Sequence, residues 1–70
     1  MDTTENKMLF VRLLARAVEI NDFPAFSNHV EVGLLHLTED TAESLMRVEL
    51  PLFLGERLTK RLELFRNRLK

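Results

Sequence analysis

A chain of 70 residues without cysteine, carrying ten basic and eleven acidic side chains for a net charge of −1, makes one small domain and can hold neither a disulfide nor a thiolate zinc site. A reducing, cytoplasmic setting suits it. Hydrophobic residues make up 46% of the sequence, rich for a chain whose stability is marginal by size, and the remaining way to stabilise it is a second chain sharing the core.

Asp2 followed by Glu5 has the spacing of a capping box and predicts a helix from about residue 3 to about residue 21. At 100° per residue, Glu5, Arg12, Arg16 and Glu19 share a narrow strip, and the apolar residues from Met8 to Ile20 cover the rest of the circle. So wide an arc predicts packing on two sides. Leu9, Phe10, Leu13, Leu14 and Val18 are therefore assigned to a homodimer interface. The same run is too short and too charged to cross a bilayer, and the basic n-region of a signal peptide is missing before it.

Asn21, Asp22, Pro24, Ser27 and Asn28 predict a loop in which Phe23 and Phe26 anchor back onto the helix. From His29 to Leu37 the alternation of Val30 and Val32 about Glu31 predicts a strand, with Gly33 at a bulge. Met46, Val48 and Leu50 alternate with Arg47 and Glu49, predicting a second strand and a hairpin over about 29–50. A helical reading competes there, because Asp40 and Glu43 have capping-box spacing and Ala42, Leu45, Met46 and Leu50 could line a short helix. Pro51 ends that element, and a last helix covers about 54–69. The expected fold is thus α+β: one helix–β-hairpin–helix domain over 1–70, two copies pairing their hairpins into a four-stranded sheet. The alternative is all-α with three to four short helices.

The last helix carries the polarity of the chain. Arg57, Lys60, Arg61, Arg66, Arg68 and Lys70 oppose only Glu56 and Glu63, a local balance of +4, against −5 over residues 1–54. Phe53, Leu54, Leu58, Leu62, Phe65 and Leu69 form one apolar stripe that completes the core. On its flank, Arg57, Arg61 and Arg68 cluster beside Leu64, and arginine favours interfaces because its planar guanidinium is weakly hydrated and bonds bidentately. These four residues are the candidate partner-binding surface.

No catalytic, cofactor or metal site is expected. His29 and His36 with Glu31 lack the spacing of a ligand set, and Ser27, His29 and Asp22 supply triad residue types without a nucleophile elbow. Two glycines cannot write a phosphate-cradling loop. The expected function is a non-enzymatic protein-binding regulator or inhibitor acting as a homodimer on another protein. Nucleic-acid binding through the basic helix is the second reading, opposed by a pI near 6.1 and by the absence of tyrosine and tryptophan. Peripheral membrane binding through the same helix is the third.

Overall fold

The computed structural model describes residues 2–70, and among them it contains helices and no strand. Helix α1 spans Thr4–Glu19, α2 spans Phe23–Gly33, α3 runs without a break over 39–54, and α4 spans Glu56–Arg68. The fold is all-α, and the expected α+β hairpin over 29–50 is corrected to parts of two helices. Burial gives the reason. In a strand, Val30 and Val32 would share a face, as would Met46, Val48 and Leu50; instead Val30 is buried with Val32 exposed, and Met46 and Leu50 are buried four residues apart with Val48 exposed between them. Ala42, Leu45, Met46 and Leu50, the residues of the competing helical reading, all lie in the core.

Thr3, not Asp2, caps α1, its Oγ1 accepting the Asn6 N–H at 3.1 Å. The expected Asp2–Glu5 capping box is replaced by a long-range tie. The Asp2 carboxylate accepts the Thr38 N–H at 2.8 Å, with the hydroxyls of Thr38 and Thr41 at 3.0 and 2.8 Å. Thr38 itself caps α3 by accepting the Thr41 N–H. The Thr38 N–H, and after it the Thr41 hydroxyl, hold the Asp2 carboxyl below its ordinary pKa.

Asn21 ends α1 in the left-handed conformation at φ 59°. The Asp22 N–H returns to the Ala17 carbonyl and the Asn21 N–H to that of Val18, the paired bonds of a Schellman stop. Asp22 then caps α2, its Oδ1 accepting the Ala25 N–H at 3.0 Å, so the expected loop over 21–28 shrinks to a tight corner. Phe23 and Phe26 lie on the first turns of α2. Their rings meet Phe65 of α4 edge-on at 5.4 and 5.2 Å, a geometry that favours aromatic pairs.

Gly33 is not a bulge. It closes α2 where the Phe10 ring lies against its Cα so closely that any Cβ would overlap the ring. Pro51 does not end α3 either. A proline inside a helix lacks a donor and crowds the carbonyl four residues back. Here the preceding turn, Leu45–Glu49, is wide, and the Leu50 N–H bonds the Leu45 carbonyl five residues away. The helix ends at Gly55, whose φ of 83° and ψ of 173° form a corner that favours glycine.

Helix α1 is the central element, in contact with α2, α3 and α4. Its wide apolar arc is therefore covered largely by its own chain, with Phe10, Leu14, Ala15, Ala17 and Val18 all buried.

Candidate functional site

The proposed arginine flank is only partly available to a partner. Arg61 is half-buried, and its Nη1 donates to the Val18 carbonyl at 3.0 Å and to that of Glu19 at 3.4 Å. This places a cation against the negative end of the α1 dipole. Arg68 lies over the Phe23 ring, 4.0 Å from its centroid, a cation–π contact that covers the aromatic cluster. Arg57 and Leu64 remain exposed on α4. Arg66, outside the expected flank, pairs with Glu43 and ties α4 to α3.

The expected dimer interface divides in a similar way. Phe10, Leu14 and Val18 are at most 3% exposed within a single chain, so they are committed to the chain's own core and unavailable to a second copy. Leu9 and Leu13 stay exposed and, with Val32, His29 and His36, border a cleft of only about 60 Å³ between α1 and α2. His29 and His36 are corrected from strand positions to α2 and the turn after it. Among the described residues, no three or more His, Cys, Asp or Glu side chains gather as a cation would need. Asp22, the acid of the superficial triad types, spends its carboxylate on the α2 cap.

A larger apolar surface lies on the other side of α1. Between α1 and α3 runs a groove of about 520 Å³, with Val11 and Leu45 at its base and Met8, Leu52 and Phe53 along its walls. The wall residues are unusually open to solvent for their type: Leu52 is 81%, Phe53 60% and Met8 55% exposed. The charges on its two lips differ in sign. Lys7 and Arg12 stand on the α1 lip and Glu49 on the α3 lip, and the cleft continues along the same helices to Asp40. Among the described residues none of these four is in an ion pair.

The sequence reading missed this site because it assigned Phe53 to the stripe of the last helix. Phe53 in fact precedes the Gly55 corner and faces outward from α3, whereas Leu62 and Phe65 are buried and Leu54, Leu58 and Leu69 pack against the core. The available signal was the run Leu50-Pro51-Leu52-Phe53-Leu54, more consecutive apolar residues than one helix face can bury.

No family model, curated protein or solved structure matches this chain. Among the described residues, no helix is long and apolar enough to cross a membrane.

Proposed function

We propose that this chain is a non-enzymatic protein-binding module, of regulator or inhibitor type, that docks a protein through the α1–α3 groove. One observation carries the reading. Met8, Leu52 and Phe53 are adjacent large apolar side chains held open to water over a concave floor, the arrangement that marks a protein-docking site rather than the scattered exposed apolar residues of an ordinary surface. Charged lips around an apolar centre match the anatomy of interfaces, where the polar rim sets orientation and the apolar core supplies affinity. The arginine flank becomes secondary in this reading, because Arg61 and Arg68 have partners inside the fold. The same loss weakens the nucleic-acid and membrane readings, which drew on that helix.

The test is site-directed photocrosslinking in extract of the source cells. A photoreactive residue at Leu52 is expected to give protein adducts, and one at Lys60, on the exposed face of α4, to give none. Quenching by water alone at position 52 would overturn the reading.

A further inference from the structure

The occupant of the groove can be specified from the charges on its lips. We propose that it is a second copy of this chain, docked face to face about a twofold axis running along the groove. The inference rests on the groove being a protein-docking site. Rotation about such an axis lays the α1 lip of each copy over the α3 lip of the other. Arg12 then faces Glu49 of the second copy, and Lys7 faces its Asp40, each contact occurring twice by symmetry. A rotation about an axis across the groove would instead set basic lip on basic lip and acidic on acidic, which like-charge repulsion disfavours.

Four further features agree with self-docking. The four lip charges have no ion-pair partner among the described residues, so the second copy supplies what each lacks. With a net charge of −1, two copies meet almost without long-range repulsion. The chain also exposes 4924 Å², above the ~4,500 Å² that the usual scaling of surface with mass gives for a folded monomer of its size. Leu52 and Phe53 protrude beside the base formed by Val11 and Leu45, so each copy offers both a knob and a hollow.

This geometry makes an uncommon prediction about charge reversal. Arg12→Glu sets acid against acid at both copies of the 12–49 contact, and Glu49→Arg sets base against base there. Each variant alone repels itself, with dimerisation weakened by about tenfold or more. Mixed together they form a heterodimer, and the double variant Arg12→Glu with Glu49→Arg dimerises like the wild type. Sedimentation equilibrium over a micromolar concentration series reads this directly, the wild type being expected at twice its 8.2 kDa monomer mass. Circular dichroism checks that the folds match, since both positions are exposed. A wild type that stays monomeric throughout, a dimer indifferent to both reversals, or a mixture that fails to pair would each overturn the proposal. If the chain is monomeric yet still gives adducts of other proteins from position 52, self-docking falls and the protein-binding reading stands; without adducts both fall.

Discussion

Arg61 of α4 donates from Nη1 to the Val18 carbonyl at the end of α1, although the two residues are far apart in sequence. Val18 already accepts the Asn21 N–H of the corner, so the guanidinium fills the second lone pair of that oxygen. Replacing Arg61 by alanine is expected to lower stability by about 1 kcal/mol, the worth of a hydrogen bond from a charged donor discounted for partial exposure. Arg57→Glu on the same helix should stay within about 0.5 kcal/mol, as for an unremarkable surface position. Urea denaturation of both variants separates a structural arginine from an outward one, and equal effects would remove the distinction.

Gly33 and Phe10 form a matched pair. Gly33→Ala should destabilise by about 1–3 kcal/mol through overpacking, because the added methyl enters space held by the ring. Phe10→Leu in the same chain should recover part of that loss, a coupling that a double-mutant cycle measures. Strictly additive effects would mean that the ring does not oppose the methyl.

At Gly55 nothing lies within 4 Å of the position a Cβ would take, so any penalty there is conformational. The expected cost of Gly55→Ala is about 1–3 kcal/mol from the backbone region alone. Thermal melts of the alanine variant test it, and an unchanged midpoint would show that the corner relaxes without strain.

Asp2 gives the fold a pH dependence. Its carboxyl is more acidic folded than its ordinary value of 3.8, because the Thr38 N–H and the Thr41 hydroxyl bond the charged form. The contribution is therefore fully present above that value and is lost as the pH falls through the lower folded one. Asp2→Asn should be less stable than the wild type near neutrality and converge on it in acid. Two parallel stability curves down through the acid range would show that the tie contributes nothing.

The two outer helices were legible because their apolar periodicity extends over three turns or more. The expected spans of about 3–21 and 54–69 bracket the observed Thr4–Glu19 and Glu56–Arg68. The middle was not, since Val30-Glu31-Val32 and Met46 to Leu50 alternate over so few residues that a period of two and a period of 3.6 place nearly the same side chains inside. What separates them is the exposure of Val32 and Val48, a tertiary fact. The groove was hidden for a related reason, because Phe53 can be counted with either helix until the corner at Gly55 is known.

The wide turn ahead of Pro51 also has a consequence at a distance. One extra residue in a turn rotates everything downstream by about 100° relative to an unbroken α-helix. The side chains that follow are thereby turned relative to the first turns of α3, and Leu52 and Phe53 stand out on the groove wall. The proline thus acts as a phase shifter. Its ring need not touch the docking surface to decide which side chains form it, and Pro51→Ala, by letting the helix rewind to an even pitch, would redraw the groove without altering any residue that lines it.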